Sequence, residues 1–66
     1  MEASEIFESI LKADEKLKYA TDANSDVRRQ QAIGLLRQAL ADAESIRSEP
    51  LADQVKVRLM DLGESP

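Results

Sequence analysis

The chain has 66 residues, no cysteine and no histidine, and a formal net charge of −4. This length allows one small domain over residues 1–66, and it excludes a large buried core. The absence of cysteine excludes disulfides and thiolate metal sites, and the absence of histidine removes the commonest metal ligand and general base. We therefore expect good helix packing or a binding partner to supply the stability that a disulfide or a metal gives other small domains.

The composition favours α-helix. Ala, Leu, Glu, Lys, Gln and Arg dominate, and aromatic residues make up only 3% of the chain. No apolar run approaches the roughly 20 residues that a membrane span requires. Residues 1–20 carry glutamates where a signal peptide has basic residues, so a cytoplasmic protein is expected. The sequence predicts an all-α fold, a small antiparallel three-helix bundle with helices at about 4–21, 26–47 and 50–62.

The first predicted helix carries one apolar stripe. Its apolar residues recur every three or four positions, as one face of a helix requires: Ile6, Ile10, Ala13, Leu17 and Ala20. Phe7 and Leu11 widen this stripe on one side. Ser4 is predicted to cap the N-terminus of the helix. Glu8 and Lys12 are four residues apart, as are Asp14 and Lys18, which favours two ion pairs along the helix.

Residues 22–26 read DANSD, which is how a calcium loop of the EF-hand kind begins. Such a loop requires glycine at its sixth position and glutamate at its twelfth. Counted from Asp22, these positions hold Val27 and Ile33, so both requirements fail. Asp, Asn and Ser also favour turns and helix N-termini, because their short side chains bond nearby backbone amides. The segment predicts a turn without a metal, in which Asn24 or Ser25 caps the second helix.

The second predicted helix has a stripe rich in alanine. Its members are Ala32, Leu36, Ala39, Ala43 and Ile46, with Ile33 and Leu40 beside them. These alanines leave room for another helix to approach closely. Leu35 falls off the stripe and is expected to face another element. Gly34 lies inside the helix, where it costs roughly 1 kcal/mol relative to alanine. Either it relieves a close helix crossing or it is simply tolerated.

The third predicted helix begins at the Ser-Glu-Pro sequence of residues 48–50, because proline fits a first helical turn. Gly63 is predicted to end it. Its buried face is predicted to contain Leu51, Ala52, Val55, Leu59 and Leu62. Val57 and Met60 are neighbours on the helix but lie off this face. Either they pack against the end of the first helix, or they form a docking or self-association surface, which is the interpretation we favour.

Residues 32–43, AIGLLRQALADA, resemble the second helix of a tetratricopeptide repeat. Ala32, Leu36 and Ala39 match its alanine, bulky and second alanine positions. Tyr19 and Ala20 resemble part of the first helix of that repeat. The same stretch is similar to the middle helix of microtubule-interacting and trafficking domains, which are three-helix bundles. Either resemblance implies a protein that binds a helix or a short peptide in a groove between helices.

No residue pattern indicates catalysis. The serines have no histidine base, and the two glycines lie too far apart for a phosphate-binding loop. Carboxylate pairs need a cleft that removes one of them from water, which three short helices rarely form. We therefore expect no enzyme activity, no cofactor, no metal and no small-molecule substrate.

The function predicted from the sequence is protein–protein interaction. A partner helix, or a second copy of the chain forming a homodimer, is expected to dock on an apolar face formed by Leu35, Val57 and Met60. Acidic residues around this face would favour a basic partner. The alternative is a small acidic regulator that occupies the surface of a target protein. Nucleic-acid binding through Arg28 and Arg29 is disfavoured by the negative net charge, and it predicts an affinity that falls steeply with salt.

Overall fold

The computed structural model describes residues 2–65, and three helices account for the fold. They are α1 (Ala3–Lys18), α2 (Ser25–Ser45) and α3 (Glu49–Asp61), and the described residues contain no strand. The prediction of a small all-α three-helix bundle is confirmed. α2 is the central helix, because it packs extensively against α1 and α3, which touch each other little. The Cα atoms extend over 37 × 21 × 13 Å, so the bundle is long and thin.

One apolar core joins the three helices. Its buried members are Ile6, Ile10 and Ala13 from α1, Ala32, Ile33, Leu36, Ala39 and Ala43 from α2, and Leu51, Ala52, Val55 and Leu59 from α3. α2 contributes mainly alanine, which lets its neighbours approach, and Leu36 is its one large side chain that is fully buried. No polar side chain within residues 2–65 is buried. The core therefore depends on apolar contact. The stripes predicted from helical periodicity face it, except that Ile46, predicted in the stripe of α2, follows the end of that helix and is exposed.

The first helix is shorter than predicted, because it ends at Lys18 and a turn follows. In that turn the Thr21 amide donates a hydrogen bond to the side-chain oxygen of Asn24 at 2.7 Å. Asn24 does occupy the N-cap position of α2, but its side chain makes no capping bond to that helix. α1 likewise begins at Ala3 with no side-chain cap, so the prediction of a cap at Ser4 is wrong. The polar residues before α2 build the turn instead.

α2 and α3 end in the same hydrogen-bond pattern, with different residues at its left-handed position. The amides of Ser48 and Glu64 each donate to the carbonyl five residues earlier, at 2.8 and 2.9 Å. This is the Schellman pattern, which requires one residue with positive φ. That residue is Gly63 after α3, with φ 77°, and Arg47 after α2, with φ 58°. Gly63 ends α3 as predicted, whereas the left-handed turn at Arg47 ends α2 two residues earlier than predicted.

Arg58 ties α3 to α1. Its guanidinium donates two hydrogen bonds to the carboxylate of Asp14, from Nε at 2.9 Å and from Nη2 at 3.0 Å. The remaining Nη1 donates to the Gln54 carbonyl one turn earlier in α3, at 3.1 Å. A guanidinium that is held at both carboxylate oxygens and at its own helix has little freedom to rotate. The pair therefore fixes α3 in its rotation about its own axis.

Two arginines of α2 hold the C-terminal end of α3. Arg29 donates to the Leu62 carbonyl, one of the backbone acceptors that the end of a helix leaves without a helical partner. Arg37 donates to the Ser65 carbonyl at 3.1 Å and pairs with the Glu64 carboxylate at 3.2 Å. The last turn of α3 and the segment after it are thus joined to α2 by polar contacts at the edge of the core.

Gly34 lies on the exposed side of α2. No atom comes within 4 Å of the place that a β-carbon would occupy at this position. The glycine therefore does not relieve a close crossing between helices of this chain, and of the two interpretations offered by the sequence, simple tolerance is the one that fits.

Candidate functional site

The side of α3 turned away from the core carries two exposed apolar side chains. Val57 is 57% exposed and Met60 is 64% exposed, although the chain has a well-formed core on the other side of the same helix. At 100° per residue these two positions are neighbours and lie well away from the buried row. Asp53 and Asp61, each four residues from Val57, are exposed beside them. We call this set of four residues the α3 outer face.

Leu35 does not share this face. It is partly buried, packs against the core, and lines a cleft between α1 and α2. Residues of α3 do not line that cleft. The structure thus brings Val57 and Met60 together, as their spacing predicts, but places Leu35 elsewhere. Spacing within one helix relates Val57 to Met60, whereas the relation of Leu35 to them depends on how α2 and α3 are rotated against each other.

The cleft that contains Leu35 is basic. It has a volume of about 430 Å³ and is lined by Lys12, Glu15, Lys16, Tyr19, Arg28 and Leu35. We call it the basic cleft. Sequence reasoning missed it, because its cations come from two helices and only the packing of α1 on α2 brings them together. The sequence alone indicates only one part of the cleft: Lys12 and Lys16 are four residues apart and therefore lie on one side of α1.

A second cleft, of about 560 Å³, lies at the joint between α2 and α3. Its charged lining residues have mixed signs: Glu44, Arg47, Glu49, Asp53 and Lys56. Since three acids and two bases share this lining, the cleft carries no excess of positive charge that would favour an anion.

Exposed apolar side chains also occur on the other helices. Phe7 and Leu11 of α1 are 42% and 43% exposed, so they widen the buried stripe less than their spacing predicted. Val27 near the start of α2 is 60% exposed. These three residues belong to other helices than the α3 outer face. Val27 is a suitable control position for that face, because its side chain is exposed to a similar extent.

The carboxylates of residues 2–65 form no group of three or more that could hold a metal ion. In the segment that resembles the start of a calcium loop, the Asn24 side chain is already used by the Thr21 amide. Within the same part of the chain, none of the three helices combines the length and apolar character needed to cross a membrane.

This chain matches no family model, no curated protein and no solved structure. The resemblance to tetratricopeptide repeats and to microtubule-interacting and trafficking domains stays a prediction.

Proposed function

We propose that this chain is a non-catalytic protein–protein interaction module, and that its α3 outer face docks a basic amphipathic helix of another protein. The observation that carries the proposal is the pair of Val57 and Met60, which lie side by side and expose more than half of their surface. Contiguous exposed apolar surface on a soluble domain marks interaction sites. An amphipathic helix supplies apolar residues at the matching spacing of three and four.

The charge around these residues supports a basic partner. Asp53 and Asp61 flank Val57, and neither takes part in the ion pairs found within residues 2–65. The whole chain is also acidic, with a net charge of −4. Lysines or arginines at the edge of a docked helix would meet these carboxylates. Such pairs raise the association rate and select the partner more than they supply affinity.

The attachment of α3 supports the proposal as well. The two hydrogen bonds from Arg58 to Asp14 restrict the rotation of α3 and therefore hold Val57 and Met60 outward. A face that is already ordered before binding loses less conformational entropy when the partner docks.

The test is a binding titration with a fluorescein-labelled synthetic peptide of leucine and lysine, about 18 residues long, which makes five helical turns. We expect fluorescence anisotropy to show saturable binding to the unaltered chain and about tenfold weaker binding to Met60→Asp, a change of ~1.4 kcal/mol. Val27→Asp places the same charge at a similarly exposed position on α2 and should leave the affinity unchanged. Circular dichroism establishes that each variant is folded.

Three other outcomes would contradict the proposal. Equal weakening by Met60→Asp and Val27→Asp would mean that the peptide binds without a site. A concentration-dependent dimer in light scattering, abolished by Met60→Asp, would identify the occupant as a second copy of the chain. Loss of binding on charge reversal at Glu2, Glu5 and Glu8, with Met60→Asp unaffected, would favour the small acidic regulator instead.

A further inference from the structure

The basic cleft gathers positive charge in an acidic chain. Its lining contains three cations, Lys12, Lys16 and Arg28, and one acid, Glu15, which gives the cleft a net lining charge of +2. The chain as a whole carries −4. The cations come from both α1 and α2, so they converge on one space from two sides instead of following one solvated helix face.

These three cations have no partner within residues 2–65. The two ion pairs in that part of the chain use other arginines, and the side-chain hydrogen bonds there involve none of the three. By contrast, Arg29, Arg37 and Arg58 donate to carboxylates or carbonyls. Arg47 and Lys56 in the cleft of mixed charge are also without such a partner within residues 2–65, but they share that lining with three acids. Of these two clefts, the basic cleft is the one that combines free cations with a net positive lining.

Helix dipoles explain only part of this arrangement. Lys16 lies in the last turn of α1, where the negative end of the dipole favours a cation. Arg28 lies in the fourth position of α2, close to the positive end of that dipole, which disfavours a cation. Lys12 and Lys16 add further like charge across the cleft. An anion bound between the three cations would remove this repulsion.

The cleft also has an apolar and aromatic side. Leu35, which packs against the core, and Tyr19 both line it. The ammonium group of Lys18 lies over the ring of Tyr19, with Nζ 5.5 Å from the ring centroid. The volume of about 430 Å³ lies within the range of about 300–1,000 Å³ that is common for small-ligand sites. A ligand with an anionic group and a compact apolar body would use both sides.

We propose that the basic cleft binds a phosphate monoester carried on an aromatic body. Lys12, Lys16 and Arg28 surround the phosphate, and Tyr19 and Leu35 contact the body. A phosphate monoester carries close to two negative charges and three acceptor oxygens, which suits several converging cations better than a carboxylate with a single charge. The planar fork of Arg28 can donate to two of those oxygens at once.

The experiment is an NMR titration of the ¹⁵N-labelled chain with phenyl phosphate at about 20 mM salt, where screening is weak. We expect saturable shifts at the amides around the cleft, and weaker binding of both inorganic phosphate and benzoate. The double variant Lys16→Gln/Arg28→Gln should bind phenyl phosphate about tenfold more weakly, because each exposed charge contact contributes up to about fivefold. Arg47→Gln/Lys56→Gln removes two cations from the cleft of mixed charge and should bind as the unaltered chain does.

Three results would overturn the proposal: shifts that do not saturate, equal weakening in the two double variants, or inorganic phosphate binding as tightly as phenyl phosphate. Thermal melts provide a second measurement. Phenyl phosphate should raise the melting temperature of the unaltered chain and of Arg47→Gln/Lys56→Gln equally, and should raise that of Lys16→Gln/Arg28→Gln clearly less. Met60→Asp should bind phenyl phosphate normally, since α3 does not line the cleft, so this proposal and the docking proposal can fail separately.

Discussion

α1 and α3 are attached to the rest of the bundle by different means. α1 packs on α2 through buried apolar side chains, and no side-chain hydrogen bond joins these two helices within residues 2–65. α3 also contributes to the core, but the contacts of Arg29, Arg37 and Arg58 surround it or the segment after it. It is also the shortest helix, with 13 residues against 16 in α1 and 21 in α2.

The difference shows how a short helix is oriented. Apolar contact is non-directional and stabilises a range of rotations of one helix on another. Hydrogen bonds to a carboxylate or a carbonyl require particular distances and angles, so they select one rotation. α3 is the helix whose outward side carries Val57 and Met60, and it is the helix whose rotation is held in this way. The polar contacts therefore bear on the proposed function more than on total stability.

The largest expected effect on the free energy of unfolding comes from the apolar core. Leu36→Ala removes the one large, fully buried side chain of α2 and should cost about 2–5 kcal/mol. A domain of this size rarely has more than about 3–5 kcal/mol of stability, so much of the variant should be unfolded at 25 °C. Urea unfolding followed by circular dichroism measures the loss. Leu11→Ala, at a position that is 43% exposed, makes the same chemical change and should cost much less. Similar losses in the two variants would mean that the core does not depend on Leu36.

The two helix ends offer the next largest effect. Gly63→Ala places a side chain in the left-handed conformation after α3 and should cost about 1–2 kcal/mol. Arg47→Gly relieves the same conformation after α2 and should stabilise the chain by up to about the same amount. Thermal melts measure both effects: Gly63→Ala should lower the melting temperature and Arg47→Gly should raise it. Destabilisation by Arg47→Gly would show that contacts of the arginine side chain exceed the backbone strain.

The polar attachment of α3 is expected to have a smaller effect. A double-mutant cycle with Asp14→Ala and Arg58→Ala should give a coupling of about 1 kcal/mol, because the pair is bidentate but partly exposed to solvent. The corresponding cycle for Arg37 and Glu64, a pair with a more exposed arginine and one hydrogen bond, should give only a few tenths of a kcal/mol.

Hydrogen exchange shows whether the contact between Arg58 and Asp14 orients α3 or adds to the stability of the whole chain. In Arg58→Ala the amides of α3 should exchange faster relative to those of α1 and α2 than they do in the unaltered chain. A uniform increase in all three helices would mean that the pair contributes to global stability without orienting α3.

The sequence predicts the apolar stripes and the outward position of Val57 and Met60, because both follow from spacing within one helix. It does not predict contacts that depend on the rotation of one helix against another. Asp14 was expected to pair with Lys18 one turn away, but it bonds Arg58, 44 residues along the chain. For the same reason, the sequence of α1 or of α2 alone does not predict that Lys12 and Arg28 line one cleft.

A small stabilising effect is expected at Gly34, on the side of α2 that neither α1 nor α3 covers. Alanine fits there without contact and has a higher helix propensity, so Gly34→Ala should stabilise the chain by about 0.5–1 kcal/mol. Ala41→Gly, at another exposed position of α2, should cost a similar amount and serves as the reverse control. Melts of both variants at two protein concentrations measure the effect. If Gly34→Ala destabilised the chain only at the higher concentration, a second copy would have to pack closely on α2, and the exposed glycine would then be required by assembly.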